Sequence, residues 1–310
     1  MALGRRKFLF SSGLLLISGC VAKPGVREEG ASNFSIALKP DVSAIAKIEQ
    51  RIGGRLGVGL VGGDGRLILS HRGSERFAMC STFKAALAAA LFAAHAAGGV
   101  NMFAKFQLKP ADSVPYMPFV EARLASGEPV SLHALAGAAV MTSDNAAANL
   151  ILKAIGGPEA FTKFVRDHDD PVTRLDRMEP ELNENVPGDP RDTTSPEAMA
   201  MLIRKLAIED ASLDIGKLTL QHWMKDSKTG ASRIRAGLPK DWPVGNKTGT
   251  AAGGIARNDI AIIWPAPAEE AARPAILTIY IDRPTAPANA VDAAMAEVAR
   301  IAARLIAPGV

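Results

Sequence analysis

The sequence predicts an α+β fold in which both ends of the chain contribute to one sheet and the middle is a helical insertion. Three observations carry this. Two apolar runs flank a Gly-Gly-Asp-Gly turn at residues 62–65, helical patterning broken by Pro/Gly loops fills residues 73 to about 225, and β-rich runs return after residue 240. A functional cleft is then expected at the seam between sheet and helices, where two packed parts leave a groove.

Taken in order, Asp41 to Ile52 reads as an amphipathic helix, with Ala44, Ile45, Ile48 and Ile52 on one face and Gly53-Gly54 as its stop. Arg55 to Val61 and Leu67 to His71 form a hairpin. Ser81 to Ala94 is an alanine-rich helix ending near Gly98-Gly99. Residues 177–192 hold Pro180, Pro187, Gly188 and Pro190 and are expected to be an ordered surface loop. Pro243 to Thr250, Asp259 to Trp264 and Ala275 to Asp282 read as strands, and Val291 to Ile306 as the closing helix.

Residues 1–19 read as an export leader. Arg5-Arg6-Lys7 precedes an apolar stretch from Phe8 to Ile17, too short to span a bilayer permanently. Arg5-Arg6 resembles a twin-arginine signal, and Ile17-Ser18-Gly19-Cys20 resembles a lipobox, in which Cys20 would carry lipid. Residues 20–40 read as a tether and 41–310 as the catalytic domain. The sheet part is expected over about 41–72 and 225–310 and the helical part over about 73–224. The expected product is an exported lipoprotein, anchored at the periplasmic face and monomeric.

Removing the three leader cations from the formal charge of +4 leaves about +1. No basic stripe with interleaved aromatics is present, which argues against nucleic-acid binding. The five histidines are scattered, without zinc-ligand spacing, and neither a metal nor an organic cofactor is expected. The two cysteines are Cys20 and Cys80, and with Cys20 lipidated, Cys80 reads as a small buried hydrophobe.

Three short motifs carry chemistry: Ser81-Thr82-Phe83-Lys84, Ser143-Asp144-Asn145 and Lys247-Thr248-Gly249. Ser81 and Lys84 stand one helical turn apart, so an amine can take the serine proton during nucleophilic attack. Ser143 would relay a proton to a leaving nitrogen and Asn145 would bind an amide carbonyl, although the triplet also fits a helix start capped by an Asx residue. K-T-G occurs twice. Lys228-Thr229-Gly230 lacks strand patterning and reads as surface, whereas Lys247-Thr248-Gly249-Thr250 reads as an edge strand able to bind a ligand.

These motifs, their spacing and the flanking Phe83, Thr248 and Thr250 resemble the class A serine β-lactamase family over about residues 41–306. The resemblance implies an α/β sandwich of the β-lactamase/DD-peptidase type: an antiparallel sheet flanked by helices, with an inserted all-helical domain. It implies hydrolysis of small-molecule β-lactams through an ester on Ser81. The N–H groups of Ser81 and Thr250 would form the oxyanion hole, and Lys247, Thr248 and Gly249 would line the substrate-carboxylate pocket. Arg177-Met178-Glu179-Pro180-Glu181-Leu182-Asn183 matches the family's E-x-x-L-N loop. Glu179 and Asn183 would hold the deacylating water, with Glu179–Pro180 cis and Arg177 paired to Asp192. Acylation would use Lys84 or Glu179 as base. Tyr116 resembles the aromatic beside the cleft, and Arg233 or Arg257 would serve the carboxylate pocket, with Arg233 favoured. Where the carbapenem-hydrolysing branch pairs a cysteine with one like Cys80, this chain has Ala251. Two alternatives remain at this level: a DD-peptidase or penicillin-binding protein with a long-lived ester, and a non-hydrolysing penicillin-binding sensor.

Overall fold

The computed structural model describes residues 42–266 and 274–307. The expected leader and tether, with Cys20, lie outside the described residues. Helix α1 (Val42–Ile52) buries Ile45, Ile48 and Ile52 on one face, and Gly53 and Gly54, both at positive φ, stop it. Strands β1 (Arg55–Val61) and β2 (Leu67–His71) form the expected hairpin. After β3 (Phe77–Ala78), a 3₁₀ turn at Cys80–Thr82 leads into α2 (Phe83–Ala96).

The helical middle continues through β4 (Lys105–Phe106), α3 (Pro118–Ser126), β5 (Val130–Ser131), α4 (Leu132–Met141), α5 (Asn145–Ile155) and α6 (Gly157–Asp167). β4 pairs with β5. Then come β6 (Thr193–Thr194), paired with β3, and the helices α7 (Pro196–Arg204) and α8 (Asp214–Lys225). The chain returns through β7 (Val244–Thr250), β8 (Ala256–Ile263), β9 (Ala275–Asp282) and α9 (Ala288–Ile306).

Five of these strands make one antiparallel sheet in the order β2-β1-β9-β8-β7. The two ends of the chain therefore meet at the β1–β9 pairing, and β7 is an edge strand. β8 begins three residues before the expected Asp259. Ala256, Arg257 and Asn258 carry little strand propensity, but they pair with β9 on one side and, for Arg257 and Asn258, with Thr250 and Gly249 on the other.

The sheet is buried on both faces by a period-two alternation. Leu56, Val58 and Leu60 of β1, Ala261 and Ile263 of β8, and Leu277, Ile279 and Ile281 of β9 join α1 and α9 in one core. Ile260, Ile262, Ile276 and Tyr280 point the other way, into the core built with α2, α4, α5 and α7. Gly59 faces α7 so closely that a Cβ there would lie 2.7 Å from the Pro196 carbonyl oxygen. The helical middle is thus continuous with one face of the sheet, and its loops converge on the β7 edge.

Candidate active site

Ser81 lies in the 3₁₀ turn before α2 rather than within a regular helix. The turn is fixed from outside: the Met79 N–H donates to the Asp192 carbonyl at 2.9 Å, and Asn258 Nδ2 donates to the Met79 carbonyl at 3.1 Å. Cys80 adopts φ of 46°, which turns the chain sharply just before the serine.

Lys84, one turn on, is fully buried. Its Nζ lies 2.9 Å from Ser81 Oγ, 2.5 Å from Asn145 Oδ1, 3.0 Å from the Ser143 carbonyl and 2.9 Å from Glu179 Oε1. An ammonium has three hydrogens for these four oxygens. Burial pushes the amine below its ordinary value, and the Glu179 carboxylate opposes that fall. A lysine in this setting can exchange a proton with the serine hydroxyl.

The Ser143-Asp144-Asn145 segment joins α4 to α5, and Asp144 is the cap the sequence allowed. Its Oδ1 accepts from the Ala147 N–H at 2.8 Å, and its Oδ2 from the N–H groups of Phe119 and Val120 at 2.9 and 3.0 Å. One carboxylate therefore ties the starts of α5 and α3 together. The neighbours are left free to face the cleft. Lys247 Nζ donates to Ser143 Oγ at 2.9 Å, and Asn145 Nδ2 to the Pro115 carbonyl at 2.9 Å. The Asn145 N–H donates to the Tyr116 carbonyl at 3.0 Å, presenting the Tyr116 side chain, 61% exposed, at φ of 62°.

Glu179 stands on the 177–192 loop, preceding a cis bond to Pro180. Its carboxylate is buried, 3.4 Å from Ser81 Oγ, and accepts from Asn183 Nδ2 at 2.6 Å. Asn183 Oδ1 is buried without a protein partner. Arg177 pairs with Asp192 at 2.6 Å, and Asp192 also accepts from the N–H groups of Asp176 and Arg177. One contributor escaped the motifs. Asn149 accepts from the Glu179 N–H at 2.9 Å and donates to its carbonyl at 2.8 Å. The available signal was an amide one helical turn after Asn145 in a helix that is apolar apart from these two residues and Lys153.

Lys247, Thr248, Gly249 and Thr250 run along β7 beside the Ser81 turn. A Cβ on Gly249 would stand 2.6 Å from the Met79 carbonyl oxygen and 3.2 Å from the Cys80 Cβ, so only glycine lets the strand edge reach the serine. Lys247 is fully buried, and desolvation pushes its amine well below the ordinary lysine value. The two candidate arginines separate clearly. Arg233 is buried and donates to Thr250 Oγ1 at 2.9 Å and to the Gly249 carbonyl at 3.3 Å. Arg257 donates through Nε and Nη2 to Asp292 at 3.1 and 2.7 Å. The second K-T-G is not remote: Thr229 Oγ1 accepts from Thr248 Oγ1 at 2.9 Å, although Lys228 is exposed as expected.

Cys80 is a free thiol packed with Ala78, Ala251 and Ala256, pushed up to about 12 chiefly by burial, which makes it inert as a nucleophile. Among the described residues no cluster of His, Cys, Asp and Glu could hold a metal ion.

Known proteins share both sequence and fold with this chain. The model of the β-lactamase enzyme family matches residues 40–306. β-Lactamase OXY-2 of Klebsiella oxytoca is 41% identical over 257 residues, covering 83% of this chain and 86% of its own. β-Lactamase L2 of Stenotrophomonas maltophilia is 36% identical over 307 residues, covering 98% and 99%. Among solved structures, an ancestral class A β-lactamase superposes with a TM-score of 0.79 at 46% identity, covering 84% of this chain and 97% of its own. A β-lactamase from Xanthomonas campestris reaches 0.81 at 40% identity, covering 86% and 97%. The chain belongs to the class A β-lactamase family. In this β-lactamase the groups from α2, the α4–α5 junction, the 177–192 loop and β7 converge on Ser81, although they are spread over most of the chain.

Proposed function

We infer that this class A β-lactamase hydrolyses β-lactam antibiotics through an ester on Ser81 that water, activated by Glu179, then breaks. The observation that carries this reading is the Glu179 carboxylate, 3.4 Å from Ser81 Oγ, 2.9 Å from Lys84 Nζ and held at 2.6 Å by Asn183.

The substrate carboxylate lies by Lys247, Thr248, Gly249 and Arg233, and its amide side chain by Asn145, with Tyr116 flanking. The ring carbonyl oxygen points at the N–H groups of Ser81 and Thr250, each worth about 10²–10³ in rate for such a donor. Ser81 Oγ attacks the carbonyl carbon as its proton leaves, to Lys84 directly or to Glu179 through water. The ring C–N bond breaks, and the nitrogen receives a proton through Ser143, which Lys247 holds at 2.9 Å. Water between Glu179, Asn183 and the ester gives its proton to Glu179 and attacks the ester carbon. The acyl C–Oγ bond then breaks, and the proton held by Glu179 passes to Ser81 Oγ, directly or through Lys84, restoring the hydroxyl and releasing the acid. The unpartnered Asn183 Oδ1 supplies an acceptor for that water. General-base help of this kind contributes about 10²–10⁴ in rate.

Mass spectrometry after exposure to a penicillin tests the assignment. Wild type is expected to show little adduct and Glu179→Ala to accumulate one on Ser81. Persistent adduct in both proteins would make it a peptidase-like acyl-enzyme former, and adduct in neither a non-acylating binder.

We also propose export and lipid anchoring through Cys20, with a monomeric catalytic domain facing the periplasm. The support is the charged start, the apolar run and the Ile17-Ser18-Gly19-Cys20 tetrapeptide. Among the described residues no helix is long and apolar enough to cross a membrane. In membrane fractionation, wild type is expected in the membrane fraction and Cys20→Ala in the soluble one. Equal partition of the two would overturn the anchor.

A further inference from the structure

We propose that Asp259 is the positioning residue of the substrate-carboxylate pocket, joining the backbone beside Arg233 to the side chain beside Lys247 and supplying the anion that keeps this buried cation cluster charged. The proposal rests on the reading of Lys247 and Arg233 as carboxylate binders and goes beyond it to the group that supports them.

Asp259 is fully buried on β8, directly opposite Thr248 of β7. Its two oxygens are held from two elements. Oδ1 accepts from Asn246 Nδ2 at 2.9 Å, and Oδ2 from the Ile234 N–H at 3.2 Å. Asn246 immediately precedes Lys247, and Ile234 immediately follows Arg233. One carboxylate thus ties together the two segments that carry the cationic positions. Asn246 is itself fixed, since its Oδ1 accepts from Arg235 Nε at 2.6 Å.

The charges facing this carboxylate are Lys247 on β7 and Arg233 and Arg235 on the segment before it, while Asp292 of α9 pairs with Arg233 at 3.1 Å. Three buried or half-buried cations repel one another in a medium that screens poorly; Asp292 offsets this at Arg233 and Asp226 at Arg235, while Asp259 acts on all three. Lys247, already depressed by desolvation, is the member that can shed its charge, because a guanidinium does not deprotonate. The Asp259 carboxylate raises Lys247 and so defends the charge that the substrate carboxylate meets. Lys84 and Arg233 act in the opposite direction on the same amine, and Glu179 acts with Asp259.

The test is the pH dependence of Asp259→Asn against wild type with a penicillin. KM is expected to rise on the alkaline side as Lys247 loses its proton, and in the variant that rise should begin at least about one pH unit lower. The pH profile of kcat should stay in place. Asp259→Glu, which restores the charge, should return the KM limb toward wild type. Coincident KM limbs in wild type and a folded Asp259→Asn protein would overturn the proposal. Asn246→Ser is the second variant: it removes one donor but keeps the charge, and should move the limb the same way by less. An unmoved limb there would also count against Asp259. Acylation of Ser81 followed by mass spectrometry over the same pH range gives the profile without turnover. Failure of hydrolysis and failure of this inference are therefore separate results.

Discussion

Glu179 and Asp259 are both buried carboxyls near buried lysines, and their surroundings give them different work. Glu179 contacts the groups that react, with Lys84 Nζ at 2.9 Å and Asn183 Nδ2 at 2.6 Å. Asp259 meets only an amide and one backbone N–H, and burial pushes it up to about 6 from 3.8. A carboxyl raised in the folded state stabilises fully below its unfolded value, and that contribution is lost as pH rises through the folded value. The window here runs from about pH 4 to about pH 6, and the loss is about 3 kcal/mol at roughly 1.4 kcal/mol per unit. The stability of Asp259→Asn relative to wild type is therefore expected to improve by about that amount between pH 4 and pH 7. Denaturant melts at the two pH values read it directly, and a pH-independent difference would contradict the assignment. Asp259 would then be a residue whose charge costs stability and serves the site.

Among the elements, the 177–192 loop shows how irregular backbone is held rigid. It has little regular structure beyond one 3₁₀ turn, yet Asp192 is buried and accepts three bonds from Asp176 and Arg177. Asn149 grips Glu179 through both its backbone groups. Asp192→Ala leaves Arg177 and two N–H groups without their carboxylate. Breaking a buried pair by removing one partner costs about 3–5 kcal/mol. The expected outcome is a lower melting temperature together with slower deacylation, seen as a Ser81 adduct that persists in mass spectra. Destabilisation with unchanged deacylation would show that the pair holds the fold and leaves Glu179 in place. The same scale explains the short strand signal of β8. Its first three residues all pair with β9, and Arg257 and Asn258 pair with β7 as well, a tertiary gain that local propensity does not report.

For the molecule as a whole, the α+β class, the hairpin, the alanine-rich α2 and the edge position of β7 were legible because each rests on a local period or turn. Ser81, Lys84, Ser143, Asn145, Glu179, Asn183 and Lys247 were legible because short motifs carry them. Asn149, Asp259 and Thr229 were not, since each acts through a partner between about 13 and 30 residues distant in sequence. Lys228-Thr229-Gly230 was only half readable: the lysine is exposed, but the threonine hydroxyl meets Thr248. The choice between Arg233 and Arg257 was equally beyond the sequence, because both guanidinium groups bond Asp292 and only that of Arg233 also reaches Thr250. By itself, the sequence determined which reactive groups exist and on which elements they stand, because periodicity, turn chemistry and motif spacing are local. The tertiary structure alone decided how those groups are charged and aimed. Desolvation and charge pairing depend on what the fold packs around each group, as the burial of Lys84, Lys247 and Asp259 at one seam makes plain.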